Sequence, residues 1–235
     1  MTAISDRQQH LLRAIIEAYT DTAKPVSSGE LAGGKFNVSP ATLRNDMVAL
    51  EEAGYLNQPH TSAGRIPTET AWRWYVQQVK PQPTVGKHEQ EQLQQVARHF
   101  HHSEQELLRH MAKVLAQLIE ETVIVAFDKH DTYYTGLSNL FQQPEFEHVD
   151  VMQSISHVVD HLDETMAKVY EQVDVQAEVK LGRENPFNDR CGSILVRYRF
   201  ARRPRGVLGV LGPMRQDYSQ HLALVSYAQH LVDTV

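Results

Sequence analysis

A chain of 235 residues with 41% apolar content can bury one large core or two small ones. No run approaches the ~18 apolar residues of a membrane span, no signal peptide is expected before the first helix, and the single cysteine, Cys191, excludes an internal disulfide. The net charge of -6 argues against a coat of non-specific nucleic-acid contacts, and the expected location is the cytoplasm. The charge is uneven: residues 1–80 carry eight Lys/Arg and eight Asp/Glu, so the whole excess of acid lies beyond residue 80. A neutral end could grip a polyanion only by placing its few cations well and by pairing two copies for affinity.

Ser5 and Gln8 form a capping box, and Leu11, Leu12, Ile15, Ile16 and Tyr19 follow on one helical face. Residues 20–25 break that helix. Ser27 or Ser28 caps a short second helix through Leu31, ended by Gly33-Gly34. Ser39 caps a third, with Pro40 at its first position and Gly54 as its left-handed stop. On this third helix Leu43, Met47 and Leu50 share the inner face. The outer face near the N-terminus shows Ala41, Asn45 and Val48, flanked by Thr42 and Arg44. Recognition helices read bases with their N-terminal residues; Arg suits guanine, Asn suits adenine, and small apolar groups suit the thymine methyl. A merely solvated polar face is the competing reading.

Residues 55–59 and 66–68 read as two short strands. Between them His60-Thr61-Ser62-Ala63-Gly64-Arg65 offers hydroxyls, a flexible Gly and a cation, which is phosphate-contact chemistry; Arg65 is also suited to the minor groove. A plain turn is the bland alternative. Together these elements predict a winged helix-turn-helix over residues 1–80. Ala41, Thr42, Arg44 and Asn45 face bases; Ser39, His60, Thr61, Ser62 and Arg65 hold backbone or minor groove. Thr68 then caps a helix in which Trp72 and Trp74 are packing residues rather than base-stacking ones.

Residues 39–47 and 51–68 resemble the N-terminal domain of the HrcA-type heat-inducible transcription repressors of bacteria. A second block resembles that family's C-terminal domain. It comprises Gly136-Leu137-Ser138-Asn139-Leu140, Gln143-Pro144-Glu145-Phe146, Gly182-Arg183-Glu184-Asn185-Pro186, Cys191-Gly192-Ser193, and residues 206–218 with Gly212-Pro213-Met214-Arg215-Gln216-Asp217-Tyr218. The resemblance implies a repressor that binds an inverted-repeat operator of double-stranded DNA ahead of chaperone genes. It also implies a homodimer, release by heat, and the chaperonin as a further partner. Such repressors usually run considerably longer, with a GAF-like domain interrupted by an inserted dimerisation domain. Here residues 122–127 lead almost directly into residues 133–136, so the chain resembles a shortened form without that insert.

Residues 81–86 form the clearest linker, and residues 81–121 read as a helical connector. Leu93, Val96, Ala97 and Phe100 share one helical face. Leu107, Met111, Val114 and Leu118 follow 4-3-4 spacing, widened by Leu108, Leu115 and Ile119. This stripe is either packed on its own domain or spare for a dimer seam.

Residues 122–127 and 131–136 read as a hairpin around Asp128–His130. Val151, Ile155, Val158, Leu162, Met166 and Val169 predict one long amphipathic helix. Residues 173–181, 194–200 and 207–211 predict three strands, with residues 202–206 as the turn between the last two, and Tyr218, Leu222, Val225 and Val232 lie on a final helix. The expected fold class is α+β: an N-terminal winged helix-turn-helix, the connector, and over residues 122–235 a truncated GAF-like antiparallel sheet with helices on one side.

No complete metal-ligand set, phosphate loop or nucleophile motif is present, so no enzyme, metal or cofactor is expected. His157 and His161 at i, i+4 and the group His99, His101 and His102 read as solvated. Arg197, Arg199, Arg202, Arg203 and Arg205 are either an anion patch or a solvated hairpin. A regulator whose GAF-like domain senses a small molecule is the alternative to the repressor.

Overall fold

The computed structural model describes residues 4–32, 36, 38–79, 84–146, 149–201 and 203–235; residues 149–152, 154, 155 and 204 are described by backbone alone. Gly33-Gly34, residues 81–83 of the linker, and Arg202 lie outside the described residues. The chain divides into two compact units, Met1–Val79 and Lys80–Val235.

In the first unit, α1 (Asp6–Thr22) starts at the expected capping box: Ser5 N–H donates to Gln8 Oε1 at 2.9 Å while the Ser5 side chain accepts from the Gln8 amide. Leu11, Leu12, Ile15 and Ile16 are buried. The cap of α2 (Ser28–Ala32) is Ser27, whose Oγ accepts from the Glu30 amide while Glu30 Oε2 accepts from the Ser27 amide. Ser39 caps α3 (Pro40–Glu52), and its inner face buries Leu43, Met47, Leu50 and, unexpectedly, Asp46. Gly54 takes φ 81° just past the helix end, a region that favours glycine. The chain then forms β1 (Leu56–Asn57), a loop, and β2 (Ile66–Pro67), paired antiparallel. Thr68 caps α4 (Glu69–Gln78), where Trp72 is buried edge-on to Tyr75.

In the second unit, α5 (Lys87–Phe100) and α6 (Glu104–Ile119) precede β3 (Thr122–Ala126) and β4 (Thr132–Thr135). The β3–β4 turn is fixed by Asp128, whose Oδ1 accepts from the amides of His130 and Asp131. After α7 (Leu137–Phe141) come α8 (Val149–Asp160) and α9 (Leu162–Val169), then β5 (Glu178–Leu181), β6 (Cys191–Phe200), β7 (Arg203–Pro213) and α10 (Tyr218–Asp233). The sheet order is β4-β3-β7-β6-β5, antiparallel throughout.

Several expectations need correction. The helices lie on both sides of the sheet, not one. Ile124, Ala126, Cys191, Leu195, Val207 and Leu211 pack with Leu140, Phe146, Val158, Leu162 and Met166. The alternate residues Val123, Val125, Ile194, Val196, Leu208 and Val210 are equally buried beneath α6 and α10. Strands covered twice read as continuous apolar runs. The long helix is broken at His161, which takes φ −113° and ψ 19°, outside the helical region. The strand expected from residue 173 begins only at Glu178, because the Asp174 carboxylate captures the amides of Val175 and Gln176. The expected turn over residues 202–206 belongs largely to β7, and the reversal comes earlier, with Ala201 at φ 49°. Finally, the α6 stripe is not spare. Leu107, Leu108, Met111, Leu115 and Ile119 are buried within their own unit, leaving Val114 and Leu118 half-buried.

Candidate nucleic-acid interface

The inner and outer faces of α3 differ sharply. Leu43 and Leu50 are fully buried, while Ala41, Arg44, Asn45 and Val48 are exposed, Val48 at 39%. Thr42 is half-buried at the helix start. Ser39 is exposed, but its Oγ is engaged in the helix cap, accepting from the Thr42 amide at 3.2 Å and lying 2.9 Å from Thr42 Oγ1. Two ion pairs hold the helix in register. Arg7 of α1 donates twice to Asp46, at 2.8 and 2.9 Å, which explains how a carboxylate tolerates the inner face. That pairing also raises the Arg7 pKa. Arg65 donates to Glu51 at 2.9 Å.

The second pair engages Arg65, the cation of the loop. Its side chain is only 12% exposed and is held by Glu51, and its backbone exchanges two hydrogen bonds with Val26. The loop itself is braced rather than slack. Gln58 Nε2 donates to the carbonyls of Thr61 and Ala63, both at 3.0 Å, and the Ala63 amide donates to the His60 carbonyl. Gly64 passes so close to Val26 that a Cβ there would collide with the Val26 carbonyl. His60, Thr61 and Ser62 stay exposed. Between this loop and α3 runs a cleft of about 400 Å³ whose walls include Ser27, Arg44, Met47, Thr61 and Ser62. Gln58 was missed as a site-shaping residue because its partners are backbone carbonyls of its own loop.

The second unit carries polar residues of another kind. Glu121, Gln216, Tyr218 and His221 are all buried. Gln216 Nε2 donates to the carbonyls of Gly192 and Pro213, which leaves its Oε1, 3.3 Å from His221 Nδ1, as an acceptor. The proton on His221 therefore sits on Nδ1. Burial pushes the His221 pKa down to about 4, against an opposing pull from Asp217. Burial pushes Glu121 well above the usual carboxylate range, with Arg215 opposing and Glu145 and Glu120 reinforcing. Glycines make the room: a side chain at Gly212 would strike the Glu121 carboxyl, and one at Gly192 would strike the Tyr218 hydroxyl. Among the described residues, Glu121 Oε2, Thr132 Oγ1 and Ser193 Oγ are the buried side-chain atoms without a hydrogen-bond partner.

The remaining candidates resolve plainly. Cys191 is buried, its thiol pushed up to about 12, chiefly by burial. The arginine run is partly structural: Arg197 donates to the carbonyls of Val173 and Tyr170 and lies over the Tyr170 ring, whereas Arg199 and Arg203 are exposed. The His157 and His161 rings lie 4.3 Å apart and tilted at 44°, and no metal-holding group of His, Cys, Asp or Glu occurs among the described residues. An open cleft of about 740 Å³ beside α6 and α7 is polar, with Lys113, Gln117, Glu120 and Ser138 in its wall; the amide of Asn139, also there, is spent on the carbonyls of Ala116 and Glu121. No helix among the described residues is long and apolar enough to cross a membrane.

The buried cluster and all five strands of the sheet fall inside a region, residues 84–222, matched by the family model described as HrcA protein C terminal domain. The chain belongs to the HrcA family. Over 327 positions it is 26% identical to a protein of Carboxydothermus hydrogenoformans named Heat-inducible transcription repressor HrcA, covering 95% of this chain and 96% of that one. Over 92 residues it is 49% identical to the protein of the same name from Thermobifida fusca, covering 39% of this chain and 27% of that one. A solved structure described as a hypothetical protein at 2.2 Å resolution shares the fold, with a TM-score of 0.77 at 18% identity over 99% of this chain and 98% of that one. The 327 aligned positions exceed the 235 residues present, so this chain is a shortened HrcA. Where the full-length resemblance places an insert, β3 and β4 are joined by a tight turn, residues 127–131.

Proposed function

We propose that this chain is a sequence-specific repressor that binds an inverted-repeat operator of double-stranded DNA at chaperone genes, acts as a homodimer, and is released by heat. The observation that carries the reading is the asymmetry of α3: an inner face packed and pinned by two ion pairs, an outer face of Ala41, Asn45 and Val48 left bare. With α1, α2 and the β1–β2 hairpin, this is a winged helix-turn-helix, in which α3 enters the major groove and the hairpin loop lies on the backbone. The names of the relatives support repression and heat. The sheet unit is then a GAF-like regulatory domain, with the chaperonin as a partner that restores it. Pairing of two copies draws on surface other than the buried α6 stripe.

Selection of bound duplexes from a random pool by the purified full chain, at two temperatures, tests this directly. An enriched inverted repeat, lost at the higher temperature, is the expected outcome; absence of any enriched sequence sinks the proposal. On the recovered duplex, Asn45→Ala is expected to cost about 1–3 kcal/mol and to relax selectivity at one base pair per half-site.

A further inference from the structure

Arg44 and Asn45 are neighbours in sequence, yet they point at different parts of any ligand of α3. With ~100° between successive residues, Ala41, Asn45 and Val48 fall opposite Leu43 and Leu50, whereas Arg44 lies roughly a quarter-turn away on the flank shared with Met47. That flank is the wall of the cleft between α3 and the hairpin loop. Its lining also includes the exposed Thr61 and Ser62 and the half-buried Ser27, three hydroxyl side chains. Ser27 Oγ accepts from the Glu30 amide, which leaves its own proton to donate. The other cation of the cleft, Arg65, is neutralised by Glu51. One unspent guanidinium lining a cleft together with three hydroxyl side chains suits a tetrahedral anion, which takes charge from the cation and hydrogen bonds from the hydroxyls.

We infer that this cleft seats a phosphate of the DNA backbone, with Arg44 as its cation and Ser27, Thr61 and Ser62 as its donors, and that Arg44 does not read a base. The inference rests on the DNA-binding reading above and divides its labour: Ala41, Asn45 and Val48 read sequence, and Arg44 fixes register. The braced loop serves the seat, since Gln58 pins the backbone of Thr61, a residue of the cleft wall.

Affinities of the full-length chain are compared for the selected duplex and for a scrambled duplex of equal length and composition, across a salt series. Arg44→Ala weakens both duplexes by the same factor, leaves their ratio intact, and lowers the salt slope by about one per half-site. Arg44→Lys keeps the slope and most of the affinity, because a phosphate accepts a point charge where a guanine edge asks for a fork. A loss confined to the selected duplex, with an unchanged salt slope, overturns the inference, and so does no change in either duplex. If the wild-type chain binds neither duplex, the DNA-binding reading itself fails; if Asn45→Ala alters selectivity while Arg44→Ala has no effect, only the phosphate seat fails. Arg44 is exposed on the rim of α3, so an unchanged circular dichroism spectrum is expected for both variants.

Discussion

Both units hold partly buried ion pairs, Arg215 with Glu145 in the second, but among the described residues only the second also buries a carboxyl and an imidazole away from such pairs. In the first, charged groups come in pairs at the edge of the core: Arg7 with Asp46, Arg65 with Glu51. Each pair ties α3 to a neighbour and leaves the outer face bare. In the second, Glu121 and His221 are drawn inside, and burial shifts each toward its neutral form, the carboxyl upward and the imidazole down to about 4. Pairing fixes geometry at little cost in water, whereas neutral burial makes stability depend on solution pH. The first arrangement suits a surface that must present itself unchanged. The second suits a unit whose stability responds to conditions.

The largest expected effect separates the units outright. Leu43→Ala empties a fully buried site on α3, and such truncations cost about 2–5 kcal/mol. Urea unfolding followed by Trp72 and Trp74, both in the first unit, should report that loss. A transition of the second unit that moves equally would show that the two do not unfold as separate bodies.

The pH response is next. Glu121 is raised in the folded state above its ordinary 4.5, so the native chain holds the extra proton, and stability falls as pH rises from about 4.5 through the raised value. His221 is lowered from 6.5 to about 4, so the unfolded chain holds the extra proton in that window, and stability falls as pH drops through it. Between 4.5 and 6.5 the two slopes oppose, each at most about 1.4 kcal/mol per pH unit. Glu121→Gln should therefore remove the decline on the alkaline side and unmask the rise from pH 4 to 6.5 in a thermal melt series. An unchanged profile would show that Glu121 is not the buried acid described. The smallest effect sharpens the other side of the contrast. Arg7→Lys keeps a cation beside the buried Asp46 carboxylate and gives up only the two-pronged geometry, so melting of the first unit should drop slightly. A drop as large as that of Leu43→Ala would mean that the fork rather than the charge holds the pair.

What the sequence made legible was local. Ser5, Ser39 and Thr68 announce their helices because a cap acts within three residues, and the faces of α3 follow from helical period alone. What it hid was assembled at long range. Glu121, Gly192, Gln216 and His221 come from separate stretches of chain, and nothing in the neighbourhood of Glu121 marks it as buried. The ion pair of Arg65 was hidden for the same reason, since its partner Glu51 lies fourteen residues earlier, on α3. Asp174 ended a strand early through a single carboxylate capturing two amides, a competition that the apolar alternation of residues 173–181 does not register.

The Gln58 brace has a kinetic side. A loop held by its own side chain has surrendered its conformational entropy during folding, so a ligand meets a finished shape and loses little in ordering it. Encounter is then governed by diffusion and charge rather than by waiting for the loop to settle. On the reading proposed above, warming that leaves the first unit folded leaves this loop's shape intact, so loss of DNA follows from melting that unit or from parting two paired copies.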